Sequence, residues 1–311
     1  MELVINLVLL IVGFVCLVKG ADWFVDGASG IAMKFGIPQL VIGLTIVAMG
    51  TSAPEAAVSI SAALKGSADI TIGNIVGSNI LNIFIILGLS ALIVPLKVAK
   101  STIKVETPFM IGITVVLLLL GFDGTIVLFD GIILLALFIT YLSYLAWMAK
   151  KGMGDPGDDI KELSIGKALI FTVIGLCLIV LGSNLAVDGA TGLAKLFGLS
   201  ERFIGLTVVA LGTSLPELFT SVSAARKGND DIAIGNIVGS NIFNILFVVG
   251  LSATIVPVPF QAGFRFDIAV AIIAGVFLLV SVLNKDNKLK KPAGAAMLAS
   301  YLVYFLILWF K

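Results

Sequence analysis

The chain has 311 residues, of which 59% are hydrophobic and 13% are charged, and its formal net charge is +1. Soluble domains carry about 25% charged residues, so this chain has too few charges to cover a globule in water, and a near-neutral balance gives no reason to expect nucleic acid. A mean hydropathy of +1.16 indicates an integral membrane protein in contact with the lipid bilayer. No large soluble domain fits, and the sequence identifies no protein partner.

Ten apolar runs predict ten transmembrane helices, because about 20 apolar residues are needed to span a bilayer. In chain order they lie at 3–30, 38–64, 70–95, 103–121, 126–149, 164–192, 200–225, 231–256, 263–283 and 292–310. A polar, glycine-containing segment at 150–163 divides the chain near its middle. The sequence therefore predicts an all-α polytopic membrane protein with five helices on each side of a short linker.

The two halves of the chain are copies of each other. With an offset of 162, VIGLTIVAMGTSAPE at 41–55 matches FIGLTVVALGTSLPE at 203–217 in 11 of 15 positions. DITIGNIVGSNILN at 69–82 matches DIAIGNIVGSNIFN at 231–244 in 12 of 14 positions. An odd number of helices per copy makes the second copy enter the bilayer from the opposite face, as in many secondary transporters. We therefore predict two inverted five-helix repeats, at 1–149 and 164–311.

The distribution of basic residues predicts the orientation in the cell membrane. Loops after predicted helices 1, 3, 5, 7 and 9 carry 14 Lys and Arg residues, and the opposite face carries five. Because positively charged loops stay in the cytoplasm, the face with 14 is predicted to be cytoplasmic. The linker at 150–163 then lies in the cytoplasm and both termini are extracellular.

Two glutamates lie about midway along predicted helices 2 and 7. Glu55 ends the segment GTSAPE, and Glu217 ends GTSLPE at the equivalent depth. An ionised carboxylate at the centre of a bilayer is costly unless cations, hydrogen-bond donors or water compensate for it. Oxygen-rich side chains surround both glutamates, so we interpret the pair as a cation site. The alternative is a pair of protonated glutamates that holds the helices together.

The residues just before each glutamate add oxygen atoms. Pro54 and Pro216 have no N–H, which predicts a kink and leaves the carbonyls of Gly50 and Gly212 free to bind a cation. Hydroxyls three and four residues before a glutamate share its helix face. The residues at these positions are Thr51, Ser52, Thr213 and Ser214.

Predicted helices 3 and 8 carry a second duplicated motif, GNIVGSNILN at 73–82 and GNIVGSNIFN at 235–244. A four-residue step places Ser78 and Asn82, or Ser240 and Asn244, on one helix face. The other asparagines of the motif either hold helices together or contact an ion, and the pattern does not decide between these roles. They are Asn74, Asn79, Asn236 and Asn241.

The assembled set contains oxygen ligands and neither histidine nor cysteine. Oxygen ligands select hard cations, whereas zinc, copper or iron would favour nitrogen or sulfur. Two negative charges and roughly six to eight oxygen atoms suit calcium. The residues therefore predict a calcium site to which both repeats contribute.

These paired motifs resemble the two alpha-repeats of the cation/calcium exchanger superfamily, in particular its sodium/calcium exchanger branch. The resemblance implies a ten-helix antiporter that is not an enzyme, needs no cofactor, and transports calcium and sodium ions. Carried over by position, the side-chain ligands would be Glu55, Thr51, Ser52, Ser78 and Asn82 with Glu217, Thr213, Ser214, Ser240 and Asn244. The family also implies backbone carbonyl ligands, at Ala48, Ala210, Gly77 and Gly239.

This chain departs from the family in two ways. Some sodium/calcium members have Asp at one of the positions matched by Asn82 and Asn244, so this site has one fewer titratable group. Animal members carry a large calcium-sensing domain between the repeats, and the linker of about fourteen residues at 150–163 excludes it.

We therefore predict a sodium/calcium antiporter that exports calcium in exchange for sodium by alternating access at one central site. The alternative is a proton/calcium, or other divalent cation, antiporter of the same superfamily. A channel or an intramembrane hydrolase fits the motifs less well, because neither a ring of pore ligands nor a peptide groove is evident. Four charged residues lie outside the motifs, and we interpret them as ion-pairing residues near the membrane boundary. The alternative is that they line an access route to the site. These residues are Lys19, Asp22, Asp26 and Asp188.

Overall fold

The computed structural model describes residues 2–65, 68–151, 163–197 and 210–310, and these residues are almost entirely helical. Eight helices in this part of the chain are long and apolar enough to cross a membrane, and a bent pair of helices forms a further span. The bounds are α1 Glu2–Phe35, α2 Gln39–Thr51 with Ala53–Leu64, α3 Ile70–Ile93, α4 Thr102–Asp123, α5 Leu128–Lys150, α6 Ile165–Leu196, α7 Ala210–Thr213 with Leu215–Arg226, α8 Asp230–Ile255, α9 Phe264–Val282 and α10 Lys291–Phe310.

The all-α polytopic fold is thus confirmed. The first part of predicted helix 7, at 200–209, and most of the predicted linker, at 152–162, lie outside the described residues.

Two short antiparallel ladders demonstrate the inverted relation of the repeats. Strand β1 (Leu96–Lys97) pairs with β4 (Lys288–Leu289), and β2 (Thr125–Ile126) pairs with β3 (Val258–Pro259). Each ladder joins the first half of the chain to the second. Because α4 runs across the molecule from β1 to β2, the two ladders lie at opposite ends of the helices. When residue numbers are shifted by the offset of 162 between the repeats, the strands of one ladder fall on those of the other to within one residue.

Helices α3 and α8 form the centre of the molecule. In the most apolar 18-residue stretch of α3 and of α8, 78% and 94% of the residues are buried. The corresponding share is 17% for α1 and for α10. The outer helices expose leucine, valine and phenylalanine, as expected for surfaces that face lipid. The polar motifs of α3 and α8 are therefore enclosed by protein.

Glycines spaced seven residues apart hold α1 and α6 together in antiparallel contact. They are Gly13, Gly20 and Gly27 on α1 and their repeat equivalents Gly175, Gly182 and Gly189 on α6. A Cβ placed on Gly20 would lie 2.9 Å from the carbonyl oxygen of Gly175, and one on Gly182 would lie 2.7 Å from that of Gly13. Small residues allow membrane helices this close approach of their backbones.

An ion pair fastens α1 to the end of α7. Lys227 Nζ lies 2.7 Å from Asp26 Oδ1 and donates to the backbone carbonyl of Asp22 at 2.6 Å, while Ser223 Oγ donates to Asp22 Oδ1 at 2.6 Å. The predicted ion pairing of Asp22 and Asp26 is thus confirmed, although Asp22 also lines a cavity of about 300 Å³ between these helices.

The repeat equivalents of this pair behave differently. Lys65 corresponds to Lys227 and Asp188 to Asp26, yet neither Lys65 nor Asp188 forms an ion pair with any residue that the structure describes, and the same holds for Lys19. Equivalent charged positions of the two repeats therefore pair differently in the part of the chain that the structure describes.

The close packing of α1 on α6 makes a stability prediction. Gly20→Val would force a branched side chain against the backbone of α6, and such overpacking costs about 1–3 kcal/mol. We expect a lower thermal unfolding temperature in detergent. Gly112→Ala on α4 is the matched control, because a Cβ there meets no described atom within 4 Å. Equal unfolding temperatures for both variants would contradict the close α1–α6 contact.

Candidate cation site

Glu55 and Glu217 each lie in the first turn of a half-helix. Ser52 and Ser214 interrupt α2 and α7, and a proline follows at the start of each second half. Proline suits this position because the N–H it lacks would have no helical partner there. The second halves begin with the positive end of the helix dipole, which favours a carboxylate. Both glutamates are only 1% exposed, so sequence and fold place two acids deep inside the protein.

Hydrogen bonds across the pseudo-twofold relation bring the two repeats together at these acids. Ser52 Oγ donates to Glu217 Oε1 at 2.8 Å, and Thr51 Oγ1 donates to Asn236 Oδ1 at 3.0 Å. The carboxylates of Glu55 and Glu217 also repel each other electrostatically. Oε2 of each glutamate is buried and has no hydrogen-bond partner among the described residues.

Four asparagines form a reciprocal amide ring where α3 crosses α8. Asn79 Nδ2 donates to the backbone carbonyl of Asn241 at 3.1 Å, and Asn241 Nδ2 donates to that of Asn79 at 3.1 Å. Asn82 Nδ2 donates to Asn241 Oδ1 at 2.9 Å, and Asn244 Nδ2 donates to Asn79 Oδ1 at 3.1 Å. Asn79 and Asn241, whose role the sequence left open, therefore join the two central helices.

The amide ring determines which atoms of Asn82 and Asn244 remain available. Their Nδ2 groups are occupied, and their Oδ1 atoms are buried without a hydrogen-bond partner in the described parts of the chain. A π-helical turn begins at each of these two residues, at Asn82–Leu87 and Asn244–Val249. Turns of this kind are frequent at functional sites. The ring thus leaves two amide oxygens, and not two amide nitrogens, for a ligand.

A second pair of asparagines holds the glutamate-bearing half-helices in place. Asn74 Nδ2 donates to Ser59 Oγ at 2.9 Å and to the Glu55 carbonyl at 3.3 Å. Asn236 makes the equivalent bonds to Ser221 Oγ at 2.9 Å and to the Glu217 carbonyl at 3.4 Å. Ser59 and Ser221 were not predicted from the sequence, although each lies four residues after its glutamate, a spacing that places both side chains on one helix face.

The remaining candidates differ in how the structure uses them. Ser240 Oγ donates to the Ala48 carbonyl at 3.3 Å, and this carbonyl is the alternative acceptor for Thr51 Oγ1, also at 3.3 Å. Gly239 packs tightly against Leu44 and Ala48. Ser78 is buried, and the buried hydroxyl of Ser214 has no hydrogen-bond partner in the described chain.

One backbone ligand predicted from the sequence is engaged elsewhere. The Gly212 carbonyl, expected to be free for a cation, accepts a hydrogen bond from Ser183 Oγ of α6 at 2.7 Å. Proline does release this carbonyl from the helix, but a neighbouring helix supplies its partner.

The arrangement suits a hard cation. Five buried oxygens lack partners within the described residues, namely Glu55 Oε2, Glu217 Oε2, Asn82 Oδ1, Asn244 Oδ1 and Ser214 Oγ. No described Lys or Arg forms an ion pair with either glutamate. Oxygen atoms around two carboxylates suit calcium or sodium better than a transition metal.

Comparison with known proteins identifies the family. The family model described as "Sodium/calcium exchanger protein" matches residues 5–147 and 167–310. The chain belongs to the sodium/calcium exchanger family. It is 33% identical to the sodium/calcium exchanger MaX1 of Methanosarcina acetivorans, covering 98% of this chain and 99% of MaX1. It is 39% identical to a putative antiporter, CaxA, of Alkalimonas amylolytica, covering 97% and 98% of the two chains.

The fold agrees with this membership. A solved structure of the sodium-calcium exchanger NCX_Mj, soaked without sodium and calcium, has a TM-score of 0.86 and 34% identity, covering 98% of this chain and 99% of that one. This protein is accordingly a membrane exchange protein of the cation/calcium type, with ten helices in two inverted repeats, and its relatives are transporters.

The amide ring makes a binding prediction. Asn79→Ala removes the acceptor that fixes the Asn244 amide and leaves a buried donor unsatisfied, which costs about 1–3 kcal/mol. We expect calcium affinity to fall by about 5- to 100-fold in equilibrium binding of calcium-45 to purified protein. Ser90→Ala on the same helix removes a buried hydroxyl without a described partner and serves as the control. Unchanged affinity in Asn79→Ala would show that the ring does not orient a ligand.

Proposed function

We propose that this protein exports calcium in exchange for sodium by alternating access to the site that contains Glu55 and Glu217. The observation that carries the proposal is the pair of buried carboxylates whose Oε2 atoms face no described partner. The proposed ligands are those predicted from the sequence, with the amide oxygens of Asn82 and Asn244 completing the two carboxylates. The names of MaX1 and NCX_Mj as sodium/calcium exchangers support this choice of ions.

Charge balance explains how one site couples the two ions. With both glutamates ionised the empty site carries two negative charges, which one calcium ion neutralises. Sodium ions bring comparable charge only when more than one is bound, so the two ions compete for the same carboxylates. The protein then changes conformation only with ions bound, because an empty site with two negative charges in low dielectric is costly. Competition at a shared site is sufficient to make transport an exchange.

The distribution of basic residues supports one orientation in the membrane. The loops after α1, α3, α5, α7 and α9 carry most of the Lys and Arg residues, and Lys227, which pairs with Asp26, lies on this face. Positively charged loops stay in the cytoplasm. We infer that the protein lies in the cell membrane with both termini extracellular, and with a cytoplasmic linker at 150–163 between repeats at 1–149 and 164–311.

Proton/calcium exchange is the second candidate. Its support is the 39% identity to CaxA, whose name specifies an antiporter and no coupling ion. Glu55 and Glu217 would carry protons in place of sodium in that case. Sodium exchange is preferred, because the unpartnered amide oxygens of Asn82 and Asn244 are cation ligands that a proton on a carboxylate does not need.

The glutamates are tested by Glu55→Gln and Glu217→Gln. An amide keeps the shape of each side chain but halves the charge of the site, so we expect calcium flux in proteoliposomes to fall to background. Asp267→Asn is the control, since it makes the same acid-to-amide change at a Tyr304 contact on α9, outside the site. Wild-type flux in either glutamate variant, with normal elution from size exclusion, would eliminate the proposed site.

The amides are tested by Asn244→Asp and Asn82→Asp. An ionised aspartate at 244 has no hydrogen to donate to Asn79 Oδ1, so the ring favours its protonated form. We expect calcium transport that becomes pH-sensitive, or an altered dependence on sodium, as the added carboxyl gains and loses its proton. Calcium flux is measured against sodium concentration at several pH values. Superimposable curves for wild type and both variants would remove the amides from the ligand set.

Orientation is tested by single cysteines at 152 and 286, in a background without Cys16 and Cys177. Gly152 lies outside the described residues, and Asp286 lies in the loop between α9 and α10. We expect both cysteines to react with a membrane-impermeant maleimide only in inside-out vesicles. Reaction in right-side-out cells would reverse the proposed orientation.

A further inference from the structure

A third glutamate is buried in α4, outside the central site. Glu106 is fully buried, and Tyr144 of α5 donates its hydroxyl to Glu106 Oε1. The other carboxylate oxygen, Oε2, has no hydrogen-bond partner, and no Lys or Arg in the described ranges forms an ion pair with it. Buried acids in membrane helices are rare because they are costly, and they often mark functional sites.

Further unpartnered oxygens surround this carboxylate. Thr102 lies four residues before Glu106 on the same helix, is fully buried, and its Oγ1 lacks a partner. Tyr141 is 4% exposed and its hydroxyl also lacks a partner, while its ring stacks on Phe109 of α4 at 5.5 Å between centroids. Tyr141 lies three residues before Tyr144, so both hydroxyl-bearing side chains lie on the face of α5 that meets Glu106. Three orphan oxygens thus belong to one cluster between α4 and α5.

The backbone of this segment is also unusual. Residues Thr102–Glu106 form a π-helical turn, and Pro108 has no N–H to donate to the carbonyl of Lys104 four residues earlier. The other π-turns in the described chain adjoin candidate ligands of the central site, at Gly43–Val47 before Ala48, Asn82–Leu87 and Asn244–Val249. The turn at Glu106 therefore shares its π-helical backbone with turns of the central site, and it differs from them in that it contains a buried acid and is followed by a proline.

Protonation alone does not satisfy the cluster. A proton on Glu106 Oε1 would donate to the Tyr144 oxygen, but the buried Thr102 Oγ1 and Tyr141 hydroxyl would still have no hydrogen-bond partner in the described chain. A bound cation would instead use Glu106 Oε2, Thr102 Oγ1 and the Tyr141 hydroxyl as ligands without requiring an acceptor. One carboxylate balances one positive charge, whereas a divalent ion would leave a net charge in low dielectric. The oxygen ligands and the single charge together select an alkali-metal cation.

We propose that Glu106, Thr102 and Tyr141 form a second cation site, which binds sodium or potassium independently of the central site. Lys104, within the same turn, is exposed, so the site lies close to aqueous solution at the end of α4. Lys227 lies at the same end of the molecule, because the backbone N–H of Lys97 in β1 donates to Asp230 Oδ2, three residues after Lys227, at 2.8 Å. The two sites share no residue.

The test uses purified full-length protein that carries Glu55→Gln and Glu217→Gln, so that the central site does not contribute. Thermal unfolding is followed in choline chloride with increasing sodium or potassium chloride at constant ionic strength. A ligand that binds only the folded protein raises the unfolding temperature as its concentration exceeds its dissociation constant. We expect a saturable increase with sodium or potassium, and the more effective ion is the one that the site selects.

Adding Glu106→Gln should abolish this increase. Two further variants, Thr102→Val and Tyr141→Phe, keep the charge of the site. Each should shift the midpoint of the cation titration to at least threefold higher concentration. Ser252→Ala removes another fully buried hydroxyl without a described partner and should leave the midpoint unchanged. The proposal is overturned if neither ion raises the unfolding temperature above choline, if Thr102→Val and Tyr141→Phe behave like Ser252→Ala, or if the increase depends on pH alone. None of these results bears on the proposed function. That function is tested separately by calcium flux in the Glu55→Gln and Glu217→Gln variants.

Discussion

Two carboxylates enclosed at the centre of a membrane protein require a neutralising charge, because an unpaired ionised carboxylate is costly in low dielectric. Glu55 and Glu217 are held by half-helix N-termini and by the Ser52 hydroxyl, but no described cationic side chain neutralises them. A fixed lysine or arginine would make a stable structural pair, and its absence among the described residues leaves the charge to mobile ions. The proposed exchange and the preference for hard cations both rest on this requirement.

The inverted repeat supplies the geometry that this requirement needs. The amide ring of Asn79, Asn82, Asn241 and Asn244 is symmetric about the crossing of α3 and α8, so the centre of the site is made twice from one motif. The periphery is not symmetric, since Lys227 fastens α1 to α7 at one end only. The centre therefore keeps the symmetry of the duplication, whereas equivalent charged positions at the periphery do not.

The sequence revealed the fold and the two glutamates because polar residues in apolar helices recur at a fixed offset. It did not reveal which amide atoms meet, since the bonds of Asn79 and Asn241 depend on how α3 crosses α8, and helix periodicity does not encode that crossing. The Gly212 carbonyl was expected to be free, and only the packed position of Ser183 gives it a partner. Glu106 escaped notice because the fixed offset of 162 pairs it with Ile268. Its counterpart is Asp267, one position earlier, which accepts a hydrogen bond from Tyr304 as Glu106 does from Tyr144. Only the structure reveals this one-residue shift.

The most direct measurement of the central claim is calcium-45 uptake by proteoliposomes of the wild-type protein. Vesicles loaded with sodium are diluted into sodium-free buffer at one constant pH, with a protonophore present throughout. The account predicts calcium uptake that requires internal sodium, persists with the protonophore, and disappears when choline replaces sodium inside. Uptake that is indifferent to sodium, driven by an imposed pH gradient and abolished by the protonophore would contradict sodium exchange at the Glu55 and Glu217 site.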